Sequence, residues 1–193
     1  MVEKFLDYIS NKICNFLLLK GWLKNEKYND FDYDLRCSLF FIVIFVPLLI
    51  IGFILDIYIQ VIIITFVFNC LRLYTGGAHA LTLTKCTKFS ILYISLVSLL
   101  SKYTIQFSSH LLFISMIFGI FIIKSIPKNI IDNETNLKNT YINWLLLFYI
   151  LSYLFFQFDY NILSSAISCG ILSVGLILTN IGEKIFFYIS SKM

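Results

Sequence analysis

An all-α, polytopic membrane bundle is the architecture this sequence predicts, with about six transmembrane helices behind an amphipathic, interfacial amino-terminal helix. Three observations lead there. The 193 residues are 59% hydrophobic and 13% charged, with a mean hydropathy of +0.86. A water-soluble chain of this size needs far more charge to cover its surface. Charged residues then cut the apolar remainder into six segments, and the lysines and arginines fall almost wholly on one side of them. Two prolines and eight glycines leave little room for linkers. A single membrane-embedded domain is expected over 1–193, with an interfacial region 1–37, a transmembrane bundle 38–182 and a cytoplasmic tail 183–193.

The first element is MVEKFLDYISNKICNFLLLK. It mixes acids and bases early, and its pure apolar run, Phe16–Leu19, is too short for a signal peptide. Phe5, Leu6, Ile9, Ile13, Phe16 and Leu17 recur at helical spacing against Glu3, Lys4, Asp7, Asn11 and Lys12. Such a helix lies in the membrane interface; the alternative is a helix packed on the bundle.

The spans follow as Ser38–Leu55, Ile57–Leu71, Phe89–Ser101, Tyr103–Ile123, Asn139–Phe158 and Tyr160–Gly182. A full crossing takes about 20 residues, so the second and third must borrow flanking residues, tilt or thin the bilayer. The breaks at Asp56, Lys102 and Asp159 are tight and read as hairpins on one side. Fourteen of the fifteen Lys and Arg residues fall on the other side, Lys102 being the exception. The positive-inside rule therefore places both termini in the cytoplasm. The net charge of +4 reflects this topology and contact with anionic lipid. Nucleic-acid binding is excluded as a reading, because no basic face with interleaved aromatics appears. Five cysteines, Cys14, Cys37, Cys70, Cys86 and Cys169, form no CxxC pair, so no disulfide framework is expected. Cys70 and Cys169 read as small buried residues.

The polar stretch RLYTGGAHALTLTKCTKFS, residues 72–90, falls in a cytoplasmic turn between the second and third spans. A cysteine and a histidine brought together form a nucleophilic pair. His79 is suited to take the Cys86 proton and deliver it to a leaving amine. Positive charge nearby favours a thiolate, and Arg72, Lys85 and Lys88 are the cations closest in sequence. Gly76 and Gly77 permit unusual backbone angles, and their N–H groups are candidates to hold an oxyanion. Seven residues of straight helix rise about 10 Å, so direct contact of the pair requires the segment to bend. The alternative is that a lone His and a lone Cys here serve packing. A zinc site lacks a third ligand, and no metal or cofactor is expected. His110, in the outer half of the fourth span, reads as a helix-contact histidine.

The order Arg72, four residues, Gly77, one residue, His79, six residues, Cys86, with Gly76 and Ala80 alongside, resembles the signature of the accessory gene regulator B family. Chain length, the amphipathic amino terminus, the several spans and the motif after the second span fit as well. Ser125-Ile126-Pro127 followed by Asp132 and Asn133 is similar to the polar loop many members carry there. Glu134-Thr135 departs from the basic residue and proline expected at that point.

The resemblance implies a membrane cysteine endopeptidase of bacterial quorum sensing. Such an enzyme cuts the carboxyl-terminal tail from a short propeptide and promotes its cyclisation to an autoinducing peptide. Carried over, Cys86 is the nucleophile and His79 the base, while Arg72, Gly76 and Gly77 bind substrate or shape the loop. Attack by Cys86 gives an acyl-enzyme thioester, and exchange with a propeptide thiol closes a thiolactone (a hydroxyl would give a lactone). Thioester exchange roughly conserves acyl-transfer energy, and no phosphate-cradling motif is present. The implied partners are a propeptide with an amphipathic leader and an acidic tail, and membrane lipid. A homo-oligomer is compatible with the sequence, which fixes no copy number. Asp132 and Asn133 are candidate orienters of His79 by loop proximity. Two other classes stay open on the residues alone. One is a small peptide exporter, for which the spans offer few strongly polar groups, Gln60, Asn69, Gln106 and His110 among them. The other is a noncatalytic membrane scaffold.

Overall fold

The computed structural model describes residues 2–22, 28–75, 83–125 and 135–179, with residues 182, 184, 185 and 188 beyond them. Its elements are α1 (Val2–Leu19), α2 (Tyr28–Ile54), α3 (Tyr58–Thr75), α4 (Leu83–Tyr103), a single 3-10 turn (Ile105–Phe107), α5 (Ser108–Ser125), α6 (Thr135–Gln157) and α7 (Asn161–Leu178). No strand occurs among the described residues. The all-helical expectation therefore holds, but six full-length crossings do not emerge. Asn139–Gln157 and Asn161–Leu178 are long and apolar enough to cross a membrane. The pair Thr84–Tyr103 and Ile105–Ile120, bent by 72°, adds a third if taken as one span. The apolar parts of α2 and α3, Ser38–Ile54 and Tyr58–Arg72, are shorter. At 1.5 Å per residue each covers about 25 Å or less, against about 30 Å of hydrocarbon.

The hairpin turns follow from backbone chemistry. Helix α2 ends with Asp56 in the left-handed region (φ 53) and α6 with Asp159 likewise (φ 60). In each, the next residue's N–H returns to the carbonyl five positions back: Ile57 to Gly52 and Tyr160 to Phe155, both 2.8 Å. The Asp56 and Asp159 N–H groups return three positions, to Phe53 and Phe156. This is the Schellman pattern with aspartate where glycine is usual. The Phe155 and Tyr160 rings meet edge to face, centroids 6.3 Å apart, which supplies the apolar contact that accompanies the motif.

The third break differs from the expected hairpin at Lys102. Helix α4 runs through Lys102 to Tyr103 and breaks at Thr104, whose hydroxyl donates back to the Leu100 carbonyl at 2.8 Å. Lys102 stays helical because its charge is used elsewhere. Its Nζ donates to the terminal carbonyls of α2 at Leu55 and Asp56, both 3.2 Å, and lies 3.8 Å from the Asp56 carboxylate. A cation there answers the negative end of the helix dipole. Ser108 donates to Asn161 at 3.0 Å. The three turns are thus gathered at one end of the bundle.

Helix α7 is the centre. It packs against α3, α4, α5 and α6 and is buried along most of its length. Its interior face is rich in serine. Ser165 shares hydrogen bonds with Ser101 on α4, and Ser164 and Ser168 with Ser152 on α6, at 3.1–3.2 Å. Small hydroxyl residues let helices approach closely in a membrane and can hydrogen-bond across the contact. Gly170 is the extreme case: a Cβ there would lie 2.9 Å from Val67 Cγ1 and 3.0 Å from Val67 Cβ on α3.

Helix α1 packs on α2 and touches α4. It does so through Leu6, Ser10 and Cys14, each 3% exposed or less, while Phe5 and Phe16 remain more than half exposed. The buried strip thus runs beside the apolar one rather than along it. Helix α1 packs on the bundle and still offers an apolar face outward.

Candidate functional site

Helix α3 carries Arg72 to the end of the bundle opposite the three turns. The guanidinium stands over the Phe68 ring, 5.5 Å from its centroid, a cation–π contact. Phe68 packs against Tyr93 of α4 (6.1 Å), and Tyr93 stacks on Phe89 (5.6 Å). The two helices are antiparallel, since the start of α3 and the end of α4 meet at Asp56 and Lys102. Arg72 lies four residues beyond Phe68, and Phe89 four residues back from Tyr93. Arg72 therefore stands level with Phe89, within about one helical turn of Cys86 along the axis.

Cys86 belongs to the first turns of α4, not to a loop. The helix begins six residues before the apolar segment Phe89–Ser101, because Leu83, Thr84 and Lys85 continue it outward. Cys86 is 8% exposed. Its neighbour Thr87 is buried, Lys85 is half-buried and Lys88 is exposed. The buried stripe continues up α4 through Ser90, Ile94, Ser98 and Ser101. His79, Gly76 and Gly77 lie outside the described residues, as do Asp132 and Asn133. The structure thus positions Arg72 and Cys86 and gives no geometry for the other five.

Other sequence candidates fall as follows. His110 sits exposed in the first turn of α5, with Ser109 Oγ at 3.2 Å and the Phe107 ring edge-on at 6.4 Å. It is not a buried helix contact, because α5 starts only at Ser108 and turns this residue outward. Cys14, Cys70, Cys86 and Cys169 are free thiols, with Cys169 buried and Cys70 half-buried. No group of three His, Cys, Asp or Glu side chains fit for a metal occurs among the described residues.

Sequence reasoning missed a polar cluster between α1 and α2. The Asp32 carboxylate accepts from Ser10 Oγ, from Cys14 Sγ at 3.9 Å and from Arg36 at 2.8 Å. Arg36 also bonds Asp7, and Tyr28 donates to Asn11 at 3.3 Å. Burial works against the Asp32 charge, yet the bonds from Ser10 and Arg36 outweigh it and hold the carboxyl below its ordinary value. Burial pushes the Cys14 thiol up, and the Asp32 charge adds to the rise. A signal was present: Asp32 and Arg36 at i, i+4, facing a strip Asp7, Ser10, Cys14 at helical spacing.

The profile of one protein family, described as accessory gene regulator B, matches residues 4–181. No curated protein and no solved structure matches the chain. The match runs from the first turn of α1 to beyond α7, so it takes in Arg72, Cys86 and the segment between them along with every helix of the bundle. This chain is a membrane protein of the accessory gene regulator B family, and its family implicates it in the processing of a quorum-sensing propeptide.

Proposed function

We propose that this chain is a membrane cysteine endopeptidase that cleaves the carboxyl-terminal tail of its propeptide and passes the remainder on as a cyclic peptide. The observation that carries the reading is Cys86: a buried thiol in the first turns of α4, level within a turn with Arg72, at the bundle end where α3 stops at Thr75. The first N–H groups of a helix have no acceptor within it, so the Leu83 end of α4 supplies donors for an oxyanion beside the thiol. The Cys86 sulfur adds to the scissile carbonyl, and His79 takes the thiol proton. The C–N bond breaks, His79 protonates the departing amine, and the acyl group remains on sulfur as a thioester. A propeptide thiol then attacks that carbonyl and gives up its proton, closing the thiolactone and restoring Cys86. Burial of the thiol excludes the water that would otherwise hydrolyse the thioester. Arg72, held over the Phe68 ring, binds substrate or shapes the loop beside it.

The same proposal takes residues 1–193 as one membrane-embedded domain, with both termini and the Cys86 end in the cytoplasm and the three gathered turns outside. Purified protein in lipid vesicles, incubated with its propeptide, should yield a covalent acyl adduct on Cys86 by mass spectrometry. Cys86→Ala and His79→Ala should abolish cleavage with membrane insertion intact. Cleavage at near the wild-type rate by Cys86→Ala would refute the nucleophile. For topology, Asp159→Cys should label with an impermeant thiol reagent in intact cells and native Cys86 should not; labelling of Cys86 would reverse the orientation.

A further inference from the structure

The cluster joining α1 to α2 bears on this site. Its register is antiparallel: Asp7 meets Arg36, Ser10 meets Asp32, and Asn11 meets Tyr28. Arg36 lies two residues before the apolar stretch Ser38–Ile54, so the earliest turns of α1 are held at the membrane surface. Helix α1 also touches α4. The far end of α4 is tied to Asp56 by Lys102, at the opposite end of α2 from Arg36. The α1 contact must therefore fall at the Leu83 end, where Cys86 is buried.

A helix attached by its greasy face can slide and roll, because apolar contact is not directional. Helix α1 is attached differently. Its fixed strip is Leu6, Ser10 and Cys14, with one carboxylate accepting from three donors and one guanidinium bridging two acids. Planar arginine–carboxylate pairs fix orientation as well as distance. The apolar strip, with Phe5, Ile13 and Phe16, is left uncovered.

We infer that Asp32 and Arg36 are positioning residues that clamp α1 across the Leu83 end of the bundle, making α1 one wall of the mouth through which a peptide reaches Cys86. The wall part of this inference rests on the peptidase reading above; the clamp does not. The clamp sets where α1 lies, with its apolar strip turned away from the clamp. The residues act on binding through α1 and not on the chemical step.

Charge exchange tests it in the full-length protein in lipid vesicles. The variants are Asp7→Arg, Arg36→Asp and the pair together, which restores one opposite-charge contact. Three quantities are read: alkylation of Cys14 by iodoacetamide, alkylation of Cys86, and steady-state cleavage of the propeptide. Each single variant should speed alkylation of both thiols about fivefold and raise KM about fivefold with kcat within about twofold, as expected where a half-exposed ion pair is lost and replaced by repulsion. The pair should return all three to within about twofold of wild type. Unchanged Cys14 alkylation in the single variants overturns the clamp. Exposure of Cys14 with unchanged KM and unchanged Cys86 alkylation overturns the wall. If the wild type forms no acyl adduct, the peptidase reading fails instead, and the two alkylation rates still decide whether α1 is clamped over Cys86.

Discussion

Gly170→Ala perturbs the bundle sharply, since it acts where α7 and α3 pack tightly. The added Cβ meets Val67 Cγ1 at 2.9 Å and Val67 Cβ at 3.0 Å, where ordinary contact begins at 3.4 Å. Rotating the Val67 side chain moves Cγ1 but leaves Cβ where the backbone holds it, and a β-branched residue in a helix has one favoured rotamer. The helices must therefore part by about half an ångström, at a cost of about 1–3 kcal/mol in strain and lost dispersion contacts. Alanine's better helix propensity returns at most about 1 kcal/mol, so the clash wins and the variant should be destabilised by about 1–2 kcal/mol. In a Val67→Ala background Cγ1 is gone and only the Cβ contact remains. The Gly170→Ala penalty should then shrink by about 1 kcal/mol, measurable as a coupling between the two sites. Unfolding in mixed micelles titrated with a denaturing detergent gives the four free energies of the cycle. A Gly170→Ala protein as stable as wild type, or a loss of equal size in both backgrounds, would refute the packing account.

Tyr141 is fully buried and its hydroxyl has no hydrogen-bond partner among the described residues. Tyr141→Phe should therefore raise stability by about 1 kcal/mol in the same assay, and a loss would mean that the hydroxyl has an acceptor. Asp159→Gly relieves a left-handed residue and should also stabilise, by up to about 1 kcal/mol, whereas Asp159→Val should destabilise; equal midpoints for the two would remove the turn argument. The Asp32 carboxyl is held below its ordinary value. Its contribution to the α1–α2 contact is thus complete above about pH 4 and is lost as acid carries the pH down through the depressed value. Hydrogen exchange along α1 should accelerate across that acid range in wild type and change less in Asp32→Asn, and an equal response from both would count against the cluster.

The element boundaries were legible where charge interrupts apolar sequence. Asp56 and Asp159 mark two turns to the residue, because a charged side chain ending an apolar run leaves the helix for water and tolerates the left-handed angle. Lys102 misled by two residues, since a lysine can reach back to another helix's carbonyls without breaking its own. What the pattern could not supply is which helix lies inside. In a span every face is apolar, so hydrophobic periodicity carries no inward direction, and α7, buried all round from Ser164 to Ile171, is instead marked as the central helix by its serines. Cys86 was found by its spacing from Arg72 and Gly77, yet its burial was not. That burial depends on α4 beginning six residues before the apolar run and on what packs over it. Asp32 and Arg36 read as two charges among many until a second helix brought Asp7 and Ser10 to them.

The gathering of the three turns has a mechanical consequence. Lys102 ties α4 to the end of α2, and Ser108 ties the start of α5 to the start of α7, so the end where the turns gather serves as a fulcrum. Helix α4 is 21 residues long, a lever of about 30 Å. A tilt of about 10° about the fulcrum shifts the Cys86 end sideways by about 5 Å, the breadth of an extended peptide strand. An angular change too small to unseat the serine contacts close to the pivot is amplified at the far end into a gap of substrate size.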